Sequence, residues 1–276
     1  MKIVLLFFLV CINFFGSVAI ANVCGRSPVV QQAILEATYL TSCDKVNDFE
    51  LKKINRLRVD TDYEASVTFF KGDFEGLSSL TMLYLHASVM DYPDQILAPL
   101  VNLKELYINF QRYNVKVRPN FFAGLTQLQR LELFALDDLQ GGPIALPEGL
   151  LNPLVSLHYL DISGSWPSPM INLFLNFPID GRLVPNPQIL RVLKLGHLGI
   201  EKLPPRFGEN MDQLNCLDLE NNNITEIDPL NLKNLVSSLE NFGVADNPLS
   251  KVSKENLITV FGSKVMDFDS SACSWK

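Results

Sequence analysis

The side chains of this chain best suited to chemistry are aromatic and charged residues that recur at a near-constant interval. They are Tyr84 and His86, Tyr107 and Asn109, Arg130, Glu132 and Phe134, and Tyr159 and Asp161. Aromatic rings set among charges are the residue types that dominate binding hot spots, so the chemistry they offer is recognition of a partner. The competing reading is that aromatics simply favour strands. Catalysis and metal binding find less support. His86, His158 and His197 stand in separate repeats, and His86 and His197 lie four repeats apart, roughly 19 Å at ~4.8 Å per strand, too far to share a metal. A GxSxG elbow, a P-loop and a GxGxxG turn are absent from the sequence. Acidic pairs such as Asp137-Asp138 and Asp267 with Asp269 fall short of the ~6–8 oxygens that calcium takes, and read as solvated loops. No catalytic residue, metal site or cofactor is expected.

The element that must position the recognition residues is plainest over residues 214–224, Leu-Asn-Cys-Leu-Asp-Leu-Glu-Asn-Asn-Asn-Ile. Leu217 and Leu219 are inward residues of a short strand, and Asn222 turns inward so that its amide can pair backbone groups left open where the chain bends. The same frame recurs downstream at Leu239, Phe242, Val244, Asn247 and Leu249. Upstream it recurs at Leu190, Leu193, Leu195, Leu198 and Ile200, with Leu198 in the place of the Asn. Earlier copies begin at Leu157, Leu128, Leu103, Leu80 and, more faintly, Ile54. The eight starting positions are spaced by 26, 23, 25, 29, 33, 24 and 25 residues. One strand plus its return segment needs ~20–29, so the pattern is a stack of eight units, none of which can bury its apolar face alone.

Strand alternation then fixes the facing, because a slip of one residue would expose every leucine. The fifth position of each repeat points out of the sheet: Arg58, Tyr84, Tyr107, Glu132, Asp161, Lys194, Asp218 and Gly243. Positions three and seven flank it, with Met82 and His86, Glu105 and Asn109, Arg130 and Phe134, and Tyr159 and Ser163. Tyr84, Tyr107, Phe134 and Tyr159 would form an aromatic stripe over four adjacent repeats, flanked by Arg130, Glu132 and Asp161.

Each strand is followed by a return stretch with its own apolar marks, among them Phe74 and Phe122, expected to fill the far side of the core. Prolines in these stretches restrict them to short helical turns and extended segments. The stretch between Leu157 and Leu190 is longer and carries Trp166 and five prolines. It reads as a tolerated surface loop or, less simply, a functional rim. A smaller insertion covers 137–143. Residues 252–261 are expected as a last helix and 265–268 as a closing strand.

Residues 1–21 read as a secretory signal: Lys2, an apolar run over 3–15, and Ala19-Ile20-Ala21 at the cleavage positions. An uncleaved anchor is the alternative, opposed by Asn13, Gly16 and Ser17 in a run that would need about 20 apolar residues to span a membrane. No stable membrane span is expected after cleavage, and the product would be secreted, periplasmic or held at the cell surface. The whole chain carries a net charge of −7; without Lys2, 22 basic residues face 30 acidic ones, giving −8. Such a chain is a poor nucleic-acid binder, since phosphate contacts supply most of that affinity. Four cysteines remain beyond the signal, in a disulfide-permissive compartment. Cys24 and Cys43 flank a helical pattern over 27–40, with Val30, Ile34 and Ala37 or Thr38 on one face, and are expected to be bridged. Cys216 takes the third repeat position and is expected on the open face. With Cys273 it forms either two free or intermolecularly paired thiols or a bridge that pins the tail across the sheet.

The frame Phe74-Glu75-Gly76-Leu77-Ser78-Ser79-Leu80-Thr81-Met82-Leu83-Tyr84-Leu85 resembles extracellular leucine-rich repeats of the Toll-receptor and Slit type. The block Val23-Cys24-Gly25-Arg26-Ser27-Pro28, with Cys43-Asp44-Lys45-Val46 and Leu51-Lys52-Lys53-Ile54, is similar to the cap of secreted bacterial leucine-rich repeat proteins. The resemblance implies an α/β fold: a curved leucine-rich repeat solenoid, with a parallel sheet on the concave side, short helices and extended segments on the convex side, and an N-terminal helical cap. Departures are Ser88, Gln111, Leu136, Ser165 and Leu198 at the Asn position, and the lack of the usual cysteine-rich C-terminal cap. The chain divides accordingly into a signal (1–21), an N-terminal cap (22–53), about eight repeats (54–250) and a C-terminal cap and tail (251–276). The expected function is a non-enzymatic, exported module that binds a protein partner on its concave face. The alternatives are a structural or self-associating envelope protein, an enzyme hidden in the insertion, or a secreted receptor-like repeat protein if the host is a eukaryote.

Overall fold

The computed structural model describes residues 22–60, 67–87, 92–110, 117–135, 144–164, 173–174 and 183–266. The expected signal, the 137–143 insertion and Cys273 lie outside these residues. The eight repeat frames each supply one strand: β1 (Arg56–Asp60), β2 (Met82–Ala87), β3 (Glu105–Phe110), β4 (Arg130–Ala135), then, past the short β5 (Ile144–Ala145), β6 (Tyr159–Gly164), and, past β7 (Leu173–Phe174), β8 (Val192–Lys194), β9 (Cys216–Asp218) and β10 (Asn241–Gly243). A closing strand, β11 (Val265–Met266), follows. These form one parallel sheet in the order β1, β2, β3, β4, β6, β8, β9, β10, β11. The register aligns the fourth repeat position across every strand, from Leu57 through Leu83, Leu106, Leu131, Leu160, Leu193 and Leu217 to Phe242 and Val265. From Leu57 to Phe242 these side chains are at most 3% exposed. Each such burial contributes roughly 1.5–3 kcal/mol, and none is possible for a repeat standing alone. The fold is therefore a parallel solenoid of stacked repeats.

The far side of the core is filled by aromatics from the return segments. Phe74 and Phe122 are buried as expected, and Phe69, Tyr92, Phe110 and Phe121 join them. Tyr92 stacks 5.5 Å from Phe69 and meets Phe121 edge-on at 5.0 Å. The turn into the next strand needs glycine at Gly124. Its φ is +85°, and a Cβ there would come 2.9 Å from the Ala98 carbonyl oxygen of the previous repeat.

Asn222 and Asn247 hold the sharp bends after β9 and β10. Asn222 Oδ1 accepts from the N–H groups of Leu198 and Ile200 at 2.9 and 3.0 Å. Its Nδ2 donates to the carbonyls of Leu195 and Leu219 at 2.8 and 2.9 Å. Asn247 repeats the pattern one rung on, accepting from Ile224 N and donating to Leu219 O. Strand length follows this chemistry. β9 and β10, whose frames carry Asn222 and Asn247, are three residues long, and so is β8, whose own frame has Leu198 but whose bend is served by the Asn222 amide of the next repeat, whereas β2, β3, β4 and β6, whose frames lack the Asn, run for six. Without an amide to satisfy a bent backbone, the ladder of the sheet does so for longer.

Both ends of the stack are covered. At the N-terminus, α1 (Pro28–Thr38) starts with proline in its first turn and ends on Tyr39 in the left-handed region. It buries Val30, Ala33 and Ile34 and packs against β1. Thr38 is half-buried and Ala37 exposed, so Thr38 is the residue that completes the expected face. Cys24 and Cys43 are disulfide-bonded. A short α2 (Asp48–Leu51) is capped by the Asn47 carboxamide and buries Leu51. At the other end α3 (Lys251–Phe261) is capped by Ser250 and sets Phe261 edge-on to Phe242 at 5.2 Å. The long connections, expected as loops, contribute β5 and β7, which pair in parallel as a second, two-stranded sheet. Pairings two residues long carry no periodicity from which to read them.

Candidate functional site

The register places the outward side chains in three rows. Third-position residues run Met82, Glu105, Arg130, Tyr159, Val192, Cys216 and Asn241. Fifth-position residues run Arg58, Tyr84, Tyr107, Glu132, Asp161, Lys194, Asp218 and Gly243. Seventh-position residues run Asp60, His86, Asn109, Phe134 and Ser163.

At the β1–β3 end the face carries an aromatic stack. The rings of Tyr84 and Tyr107 lie 4.2 Å apart and within 4° of parallel. The Arg58 guanidinium lies 5.9 Å from the Tyr84 ring centre, and that of Arg130 lies 5.5 Å from the Tyr107 ring and 4.2 Å from the Tyr159 ring. Arg58 donates to Asp60 at 2.7 Å, and His86 Nδ1 stands 2.8 Å from the other Asp60 oxygen. Partial burial pushes the Asp60 carboxyl up, but Arg58, through its hydrogen bond and its charge, outweighs that and holds the group below its ordinary value. The Tyr107 hydroxyl donates to Glu105 at 2.7 Å, and burial together with this bond raises its pKa. Arg130 pairs with Glu132, its Nε donating at 2.7 Å; burial works against its charge, yet Glu132 raises its pKa above the ordinary value. The site is thus a flat aromatic pair braced by fixed charges of both signs.

Towards β9 the face changes character. Glu132, Asp161 and Asp218 are 8%, 5% and 3% exposed. Lys194 Nζ lies 3.9 Å from Asp161. Asp161 accepts from the Ser163 hydroxyl, and its pKa is pushed up to about 6, first by burial and then by Glu132 and Asp218, against the lowering effects of Ser163 and Lys194. Burial likewise raises Asp218, which accepts from the Glu220 N–H at 2.9 Å.

The expectation that the fifth-position row faces solvent holds at Arg58 and Tyr84 and fails at Glu132, Asp161 and Asp218. Alternation dictates which face a side chain takes, not what covers it there. His86, Tyr107, Asn109, Arg130 and Phe134 are half-buried and Tyr159 is buried. The four-ring stripe resolves into a direct Tyr84–Tyr107 stack and a Tyr159 joined to it through Arg130. Phe134 stands apart, in the row of Asn109 and Ser163. Cys216, expected exposed, is 2% exposed and forms with Tyr159 and Val192 an apolar cluster separate from the main core. It is disulfide-bonded. Asp60, which ties Arg58 to His86, was missed by sequence reasoning although its place in the repeat frame would have found it. Among the described residues no group of three or more His, Cys, Asp or Glu is arranged to hold a metal, and no helix is long and apolar enough to cross a membrane.

No family model matches the sequence, and no curated protein matches it. Solved structures do. Internalin C2 of Listeria monocytogenes is 19% identical, over 87% of this chain and 91% of that one, with a TM-score of 0.57. A TLR13–ssRNA13 complex is 22% identical over 74% of this chain, which spans only 35% of that chain, with a TM-score of 0.49. Internalin InlP of the same Listeria species is 16% identical over 79% of this chain and 51% of its own, with a TM-score of 0.43. Eight repeats in register, and a fold shared with internalin C2, make this chain a leucine-rich repeat solenoid.

Proposed function

We propose that the chain is an exported, non-enzymatic recognition module that binds a protein partner through the concave face of its sheet. The observation that carries this reading is the Tyr84–Tyr107 stack, a flat aromatic surface with Arg58, Asp60, Glu105 and Arg130 held around it. Rings already paired and charges already braced lose little freedom when a partner docks, which favours affinity. His86, Asn109, Glu132, Phe134, Tyr159 and Asp161 surround this centre as rim or support. Export is supported by the leader pattern of residues 1–21 and by the Cys24–Cys43 disulfide, a bond that persists in oxidising compartments. A net charge of −7 disfavours a nucleic-acid partner.

The test is capture of a partner by the chain from Asn22 onward, with Tyr84→Ala and Tyr107→Ala as controls. Loss of more than ~2 kcal/mol of binding in either variant, with melting unchanged, is the expected result for a hot-spot anchor. Undiminished binding by the double variant refutes the site. Self-association in place of partner capture, seen as concentration-dependent mass in sedimentation, would favour an envelope-tiling role instead.

A further inference from the structure

We propose that the β1–β3 part of the concave face takes a basic peptide segment of its partner, with a lysine or arginine head set against Glu105. This deepens the proposed function and rests on it. The first observation is how the aromatic stack is closed. Tyr84 has Arg58 on one face and Tyr107 on the other, and Tyr107 lies between Tyr84 and Arg130. Rings 4.2 Å apart and within 4° of parallel, on neighbouring strands, stand upright on the sheet. A partner therefore meets their edges. A nucleobase or a sugar ring, which binds by stacking on an open aromatic face, finds none here, whereas a side chain can lie along the edges.

The second observation is the balance of charge. Asp60 is paired with Arg58, Glu132 with Arg130 and Asp161 with Lys194. Asp218 is 3% exposed and out of a partner's reach. Glu105 is different. Among the described residues no cation comes within ion-pair distance of it, and Arg130, its neighbour in the register, donates to Glu132 instead. One Glu105 oxygen accepts from the Tyr107 hydroxyl at 2.7 Å, and the other accepts no hydrogen bond from the described residues. The unpaired charge of this part of the face is thus a half-buried carboxylate, and complementarity asks for a cation.

The third observation is what surrounds that carboxylate. Asn109, the next outward residue of β3 beyond Tyr107, has its Oδ1 buried without a hydrogen-bond partner. Lysine and arginine heads are donors only, so they match a place whose open groups are acceptors. Met82 stands beside Glu105 in the register, and Tyr84, 36% exposed, follows two residues along β2. A thioether and a ring edge suit the alkyl stem of either basic residue, which packs along apolar surface while its head stays polar.

The test uses labelled peptides of equal length, alternating Lys-Gly, Arg-Gly or Glu-Gly, titrated by fluorescence anisotropy into the chain from Asn22 to Lys276. Glu105→Gln is compared with Glu226→Gln, the same change of charge at an exposed residue of the return segment after β9. Glu105→Gln keeps an oxygen for the Tyr107 hydroxyl, so melting should not change. Both basic peptides are expected to bind, and the acidic one not to. Glu105→Gln should weaken the basic peptides about tenfold or more, the range for losing one charge-assisted hydrogen bond. The control should weaken them less than about twofold. Equal weakening by the two variants, preference for the acidic peptide, or no binding of either basic peptide overturns the proposal. So does spermine, if it displaces the peptide as well as an equal charge of unlabelled peptide does. Partner capture lost in Tyr107→Ala but intact in Glu105→Gln would refute the basic segment and leave the recognition face standing. Capture intact in both refutes the face itself.

Discussion

Asp73 and Ser27, 46 residues apart in sequence, are joined by two hydrogen bonds, from the Ser27 N–H at 2.8 Å and from its hydroxyl at 2.7 Å. Asp73 also accepts from the Phe70 N–H at 2.8 Å, and Arg26 donates to the carbonyls of Asp73 and Glu75. The carboxylate is 1% exposed, so this knot is what seats the N-terminal cap on the first return segment. Asp73→Ala leaves the Ser27 and Phe70 donors without their carboxylate partner and removes one of the two carboxylates, with Glu75, that balance the Arg26 charge. A loss of roughly 3–5 kcal/mol is expected in denaturant unfolding, the range for breaking a buried charged network by removing one partner. Ser27→Ala removes one donor and should lose about 1–2 kcal/mol. Equal, small losses for both would show that the cap is held by its apolar contacts and the disulfide, without the knot.

The disulfide acts on the same cap from the other side. Cys24 and Cys43 close a loop across 19 positions, which in the chain-entropy picture stabilises by about 3 kcal/mol. Cys24→Ser should lower the melting temperature and open Ile54 and Leu57 to exchange or labelling. Because the bond and the Asp73 knot hold one element, their losses should not add. A double variant no worse than Asp73→Ala alone is expected if loss of the knot already detaches the cap. Fully additive losses would mean that the two act independently.

How far the sequence reveals this molecule can be judged from particular residues. The strands were legible because each needs two inward apolar residues at a spacing of two, and Leu217 with Leu219 or Leu83 with Leu85 repeats that spacing in every unit. Asn222 was legible in its role because only a side chain with both a donor and an acceptor can serve a bend with open N–H and C=O groups. Asp73 was not legible: in Lys71-Gly72-Asp73 it reads as a surface acid, and only the fold brings Ser27 to it. Nor was the burial of Cys216, Asp161 and Asp218. Period and register give the face a residue occupies, but not how deeply it is buried there. The Tyr84–Tyr107 stack lies between these cases. Its position followed from the frame, while the parallel ring contact is a matter of rotamers set by Arg58, Glu105 and Arg130.

The asparagine ladder gives a graded prediction. Asn222 serves two N–H groups and three carbonyls, whereas Asn247 serves one N–H and three carbonyls. Each buried group left unpaired costs about 1–3 kcal/mol. Asn222→Ala should therefore destabilise by on the order of 3 kcal/mol or more, and Asn247→Ala, nearer the end of the stack, by less. Amide exchange provides the local reading: Leu198 and Ile200 should lose protection in the first variant and Ile224 in the second. The reverse assignment of exchange, or no loss at all, would remove the ladder as the cause of the short β8–β10 strands.

Asp161 makes stability depend on pH in a direction opposite to that of an ordinary surface carboxylate. Burial raises its pKa from 3.8 to about 6 in the folded chain, with Glu132 and Asp218 adding to the rise and with Ser163 and Lys194 opposing it. Between these two values the folded state holds a proton that the unfolded state has released, so unfolding stability falls as pH rises through the window. The favourable contribution is complete below the unfolded value and gone above the folded one. A difference of this size corresponds to on the order of 2–3 kcal/mol. Asp161→Asn keeps the shape and an oxygen for Ser163 but cannot ionise. The variant should match the parent near pH 4 and exceed it by about that amount near neutral pH, with a shallower slope between, the remainder coming from Asp218, which burial also raises. Urea unfolding at a series of pH values measures both slopes. Parallel curves for parent and variant would mean that Asp161 titrates alike in the folded and unfolded chains, and that Lys194 and Ser163 compensate in full for its burial.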